Sequence, residues 1–80
     1  MYYVYLIRSV KNPGKTYIGY TVDLKARLQK HNAGGSVHTR LDKPWSLVAC
    51  ICLDSKMKAL SLEKYLKSGN GYLFAKKRLW

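Results

Sequence analysis

The chain has 80 residues, enough for one domain with a small core. Fifteen Lys and Arg stand against four Asp and Glu, a net charge of +11, and with 48% hydrophobic residues that charge belongs to a folded chain rather than a disordered basic tail. A polyanionic partner is expected, and no apolar run nears the roughly 20 residues that span a bilayer.

The opening MYYVYLIRSV has neither a basic start nor a small-residue cleavage site, so it reads as structure and not as a signal peptide. Residues 2–8 are aromatic and β-branched, the composition of a strand. Asn12-Pro13-Gly14 then predicts a type II turn, with Pro13 presetting φ and Gly14 tolerating a positive one. Residues 16–20, TYIGY, read as a second strand, which makes an antiparallel hairpin. Thr21 or Asp23 caps a helix over DLKARLQKHN, with Leu24 and Leu28 as its apolar stripe and Arg27 and His31 sharing a neighbouring face. Gly34-Gly35 supplies its left-handed end.

Residues 36–44 read as a polar loop closed by Pro44. Trp45 to Leu53 is the longest apolar run. Alternation puts Trp45, Leu47, Ala49, Ile51 and Leu53 on one face and Val48, Cys50 and Cys52 on the other, as expected of a strand covered on both sides. Cys50 and Cys52 share a face with no turn between them, so a disulfide would be strained. His31 and His38 are too far along the chain to complete a zinc site. Buried, reduced thiols in a cytoplasmic protein are the expectation. Asp54 or Ser55 caps a second helix over about 56–67, with Ala59, Leu62, Glu63 and Leu66 on one side. Gly69-Asn70-Gly71 is expected to end it, and YLFAKKRLW to form a short third helix. The fold class is α+β, a three-stranded antiparallel sheet flanked by helices in the order β-β-α-β-α-α.

Glu63 is the single Glu of the chain. The other acids, Asp23, Asp42 and Asp54, fall at helix starts or in a loop. Paired-carboxylate chemistry and multi-acid metal cages are therefore not expected. A metal held here would have one protein ligand, completed by water and substrate phosphate, which magnesium tolerates. Tyr5 and Tyr17 can approach across the hairpin, as structural tyrosines or as part of a site.

The ordered series Tyr3-Val4-Tyr5, Tyr17-Ile18-Gly19, Arg27…His31-Asn32, Pro44-Trp45 and Glu63…Leu66-Lys67 resembles the GIY-YIG nuclease family. It is most like the small stand-alone, UPF0213-like members. Tyr3 and Val4 depart from the Gly and Ile of the family's first motif. The resemblance implies metal-dependent cleavage of DNA phosphodiesters. Carried over by position, Glu63 would hold a single Mg2+ or Mn2+, and Arg27 would contact the scissile phosphate. Tyr5 and Tyr17 would be the catalytic tyrosines, either one the general base, with His31 beside them. Arg27 can grip phosphoryl oxygens bidentately and is never neutral, and a nearby guanidinium and metal would favour the phenolate of a tyrosine base. The rival readings are a solvated helix face for Arg27 and His31, and a helical ion pair of Glu63 with Lys67.

Lys25, Lys30, Arg40, Lys67, Lys76, Lys77 and Arg78 are the candidate nucleic-acid contacts, in a mode that grips phosphate without reading sequence. The expectation is a cytoplasmic endonuclease acting on DNA, structure-selective or non-specific, with targeting supplied by a homodimer or a partner protein. The alternative is a non-catalytic nucleic-acid-binding module on the same fold. A membrane-surface role is not expected, because no helix pairs a wide apolar face with a basic one.

Overall fold

The computed structural model describes residues 1–80. Its elements are β1 (Tyr2–Ser9), β2 (Thr16–Thr21), α1 (Leu24–Asn32), β3 (Trp45–Leu53), α2 (Lys56–Lys67) and α3 (Gly69–Arg78), with a 3-10 turn at Arg40–Asp42 before β3. The order is the one predicted. The sheet runs β2-β1-β3, with both pairings antiparallel.

Local chemistry sets the boundaries. Asp23 caps α1 by accepting the Ala26 N–H at 3.0 Å, and the Thr21 hydroxyl in turn accepts the Asp23 N–H at 3.1 Å. Gly34, at φ +80°, ends α1 in a Schellman turn, with Gly34 N–H on the His31 carbonyl and Gly35 N–H on the Lys30 carbonyl. Ser55, rather than Asp54, caps α2 through the Lys58 N–H. The hairpin turn closes from Lys15 N–H to the Asn12 carbonyl at 2.8 Å, but Gly14 has no positive φ, so it is not the type II turn predicted. The Ser9 hydroxyl accepts the Asn12 N–H at 2.9 Å, so the chain is already turning before Pro13, and Gly14 needs no left-handed conformation.

The strand covered on both sides is β1, where Val4 to Ile7 are all at 0% exposure, and not β3, which is an edge. Against one face, Val4 and Leu6 pack with Ala59 and Leu66 of α2 and Ala75 of α3. Against the other, Tyr5, Ile7 and Trp45 pack with Leu24 and Leu28 of α1. The alternation predicted for β3 fails at one point. Leu6 pairs with Ala49 and Ile7 with Leu47, leaving Val48 as the extra residue of a bulge. The bulge turns Trp45 toward α1 while Ala49, Ile51 and Leu53 stay with α2 and α3. The long apolar run therefore serves both cores in succession rather than one strand buried on both faces. The thiols also differ from expectation. Cys52 is exposed and Cys50 half-buried, both unpaired, because they lie on an edge strand.

Gly69-Asn70-Gly71 does not separate the last two helices as predicted. Ser68 ends α2 and its hydroxyl caps α3, which begins at Gly69 and takes Asn70 and Gly71 into its first turn. Gly71 is buried against the last turn of α2, and a Cβ there would strike the Tyr65 carbonyl. Gly69 faces open space. Replacing Gly71 by Ala is expected to cost about 1–3 kcal/mol in urea unfolding, through forced overpacking, while Gly69→Ala costs nothing measurable on the same assay.

Candidate active site

Tyr5 stands at the centre of β1, directly opposite Gly19 of β2. A side chain at position 19 would meet the Tyr5 hydroxyl and ring first, so Gly19 is the residue that lets this tyrosine lie across its neighbouring strand. Packing of Leu24 and Leu28 on Tyr5 and Ile7 fixes α1 above the same face and brings in His31, only 1% exposed. The Tyr5 Oη and His31 Nε2 are 2.8 Å apart, and His31 Nδ1 lies 2.7 Å from Thr39 Oγ1. Thr39 is itself buried, and its carbonyl accepts the Trp45 indole N–H at 2.8 Å. The loop before β3 is thereby tied to the sheet.

Tyr17 lies beside this chain of contacts, half-buried, with ring centroids 6.4 Å from Tyr5 and 5.3 Å from His31, edge-on to the latter. His38 stacks over it at 6.5 Å. From α2, the Lys67 ammonium sits 5.4 Å from the Tyr17 ring centroid and 3.2 Å from Glu63 Oε2. Arg27 reaches from α1 over the free edge of β2, its Nη1 3.5 Å from the Tyr20 carbonyl. Thus Tyr5, Tyr17, Arg27, His31 and Glu63 come together at one edge of the sheet, approached from both faces. Arg27 and His31 are half-buried and buried, so they are not a solvated helix face. The Glu63–Lys67 ion pair expected as the rival reading does form, and it forms within this cluster.

Burial raises the Tyr5 hydroxyl above its ordinary pKa of 10.0, while the Arg27 guanidinium opposes that shift through its charge and N–H groups. Burial, reinforced by Arg27 and Lys30, pushes His31 below its ordinary 6.5. At neutral pH the phenol is therefore protonated and the imidazole neutral. The phenol O–H is the stronger donor, so it is assigned to His31 Nε2, with Nδ1–H donating to Thr39.

Of the predicted phosphate contacts, Lys67 touches the cluster. Lys25 and Lys30 are exposed on α1, Arg40 opens the exposed 3-10 turn, and Lys76, Lys77 and Arg78 are exposed on the last turn of α3. The loop held the surprises. Thr39 is a buried partner of His31, and His38 stacks over Tyr17. No periodicity in that irregular stretch points to either role.

No group of three His, Cys, Asp or Glu side chains gathers anywhere in the structure. Glu63 is the lone carboxylate of the cluster; Lys67 engages its Oε2 and no protein donor meets Oε1. A single carboxylate edge fits a hard divalent cation that keeps most of its water, and does not fit a closed, multidentate site.

The family whose model matches this sequence is the GIY-YIG catalytic domain. The match covers residues 1–76, and the chain belongs to that family. A UPF0213 protein of Haloquadratum walsbyi is 40% identical over 68 aligned positions, covering 84% of this chain and 74% of that protein. The structure-specific endonuclease subunit SLX1 of Candida dubliniensis is 38% identical over 73 positions; the match covers 82% of this chain and only 26% of that protein. Among solved structures, a UPF0213 protein of Bacillus halodurans determined by NMR superposes with a TM-score of 0.57 at 33% identity, over 96% of this chain and 84% of its own.

A histidine with a depressed folded-state pKa leaves the unfolded chain to bind the extra proton. Stability attributable to His31 is therefore full above its ordinary 6.5 and is lost as the pH falls from there through the folded-state value. In denaturation measured across that window, the wild type is expected to lose stability more steeply than His31→Gln, the difference between the two isolating this group.

Proposed function

We propose that residues 1–80 act as one catalytic domain, an endonuclease dependent on a divalent metal that hydrolyses DNA phosphodiester bonds, selective for structure or non-specific in sequence. The observation that carries this reading is the convergence of two tyrosines, an arginine and the chain's only glutamate on one sheet edge, in a protein of net charge +11. Similarity to a structure-specific endonuclease subunit supports branched DNA as the substrate to try first. The free thiols, Cys50 and Cys52, fit a reducing cytoplasm. Targeting is assigned to a second copy or a partner protein.

In the proposed reaction, water attacks phosphorus and the bond to the leaving oxygen breaks. Arg27 binds the non-bridging oxygens of the scissile phosphate, where charge develops. Tyr17 is the tyrosine with solvent access, and it is assigned to the attacking water as its proton acceptor. Tyr5 is fully buried and bonded to His31, so it is a positioning residue, holding that imidazole against the Tyr17 ring. Glu63 would hold a Mg2+ or Mn2+ ion, which when bound stabilises negative charge on the phosphoryl and leaving oxygens. Lys67 neutralises Glu63 and adds a positive charge beside the same phosphate. The exposed lysines and arginines of α1, the 3-10 turn and α3 hold the flanking backbone.

Nicking of supercoiled plasmid and cleavage of branched duplexes in Mg2+ or Mn2+ test the reading. Glu63→Gln, Arg27→Ala and Tyr17→Phe are each expected to lower the rate by about a hundredfold or more, whereas Tyr5→Phe costs less activity and more stability. Cleavage that survives both Glu63→Gln and Arg27→Ala overturns the site, and metal-independent binding without cleavage of any substrate replaces the enzyme with a binding module. Without metal, neutralising about five phosphates predicts a log–log salt slope around −4 to −5.

A further inference from the structure

Beside Tyr17, a groove of about 260 Å3 opens between β2, α2 and α3. Thr16, Tyr17 and Ile18 of β2, Leu66 and Lys67 of α2, Tyr72 of α3 and Trp80 line it. The side chains are set differently from those of a core. Tyr72 is 54% exposed, so its ring contributes little to folding and is presented to solvent. Trp80 is held in place: its backbone N–H donates to the Ala75 carbonyl at 2.8 Å, and Arg8 donates to its carbonyl at 3.4 Å while standing 5.6 Å above the indole ring. One cation, Lys67, therefore lines a groove with three aromatic side chains, a second, Arg8, stands over its Trp80, and no acidic side chain is part of the lining.

We infer that this groove seats one unpaired nucleobase of the substrate strand, stacked on Tyr72 and Trp80 beside the phosphate that Tyr17 and Arg27 act upon. The inference rests on the nuclease reading of the adjoining cluster and gives its selectivity a physical source. Aromatic faces bind any base, but only a base released from its own stack can offer its face to them. Inside a continuous duplex both faces of each base are covered, so the groove stays empty and the duplex is held by its phosphates alone. At a branch, a flap or a single strand, an unpaired base can enter while its phosphate backbone passes Lys67. Tyr17 lines the groove and also belongs to the clustered residues, so the base so bound lies beside the reacting phosphate.

The test separates base from phosphate and binding from cleavage. Affinities for a short oligothymidylate and for an abasic oligodeoxyribonucleotide of equal length are compared by fluorescence anisotropy without divalent metal. The wild type is expected to favour the base-bearing strand by about tenfold, and Tyr72→Ala to bring the ratio close to one. Because Tyr72 is exposed, its loss leaves the core intact. Indole emission gives a second readout. Trp45 is buried with its N–H on Thr39, so quenching that follows oligothymidylate and not the abasic strand reports Trp80, and Trp80→Phe is expected to remove it. Equal wild-type affinity for the two strands overturns the base subsite and leaves the nuclease reading standing. A preference that persists in Tyr72→Ala overturns its assignment to this groove. Failure to bind either strand at low salt overturns both.

Discussion

The phenol of Tyr5 lies across the backbone of Gly19, in space that any side chain at position 19 would need. Most of the candidate site depends on that contact. It lets a full tyrosine be buried in the centre of a three-stranded sheet, where a ring of that size would otherwise splay β1 from β2. The hydroxyl so placed is out of water and must find a partner, because an unpaired buried polar group costs about 1–3 kcal/mol. His31 supplies the partner, and Thr39 satisfies the other nitrogen of the ring. One close approach between strands therefore decides where α1 and the loop before β3 can sit. No buried side-chain polar atom in the protein is left without a hydrogen bond.

A second constraint is the size of the core. A chain of this length has few apolar residues to cover two sheet faces, and it economises at β3. The bulge at Val48 lets one apolar run bury Trp45 under α1 and Ile51 under α2 and α3. The same bulge aims the Trp45 indole at Thr39, so the device that shares the core also anchors the loop carrying His38 over Tyr17. On the opposite side, Gly71 brings α3 against the last turn of α2 and so sets Tyr72 beside Lys67 and the edge of β2.

Charge is arranged as economically. Asp23 is consumed as a helix cap, Asp42 sits in the 3-10 turn before β3, and Asp54 lies between β3 and α2. Glu63 is left as the one carboxylate among positive groups, and its ion pair with Lys67 keeps two opposite charges together beside Tyr17. An exposed helical pair of this kind contributes only tenths of a kcal/mol, so its components are available for exchange at little cost. The buried part of the cluster, by contrast, is uncharged at neutral pH, with a protonated phenol against a neutral imidazole. Neutral groups are held inside and charged ones stand at the rim, an arrangement that suits the proposed binding of a phosphate backbone.

The order of elements, a cap at Thr21 or Asp23, the glycine end of α1 and its apolar stripe are legible in the sequence, because each depends on local chemistry or short-range periodicity; the five clustered residues are named there only by their resemblance to the motifs of a family. The scarcity of acids is legible too, and a chain with one glutamate can offer a metal only one such ligand however it folds. Tertiary structure alone decided the rest. Which strand is central depends on pairing partners far along the chain, so the most apolar run turned out to be an edge, with Cys52 exposed. The bulge depends on a mismatch between two strands and leaves no mark in either one. Thr39 and His38 come from a loop without a period, and contacts with His31, Trp45 and Ser9, from three other elements, determine where that loop closes.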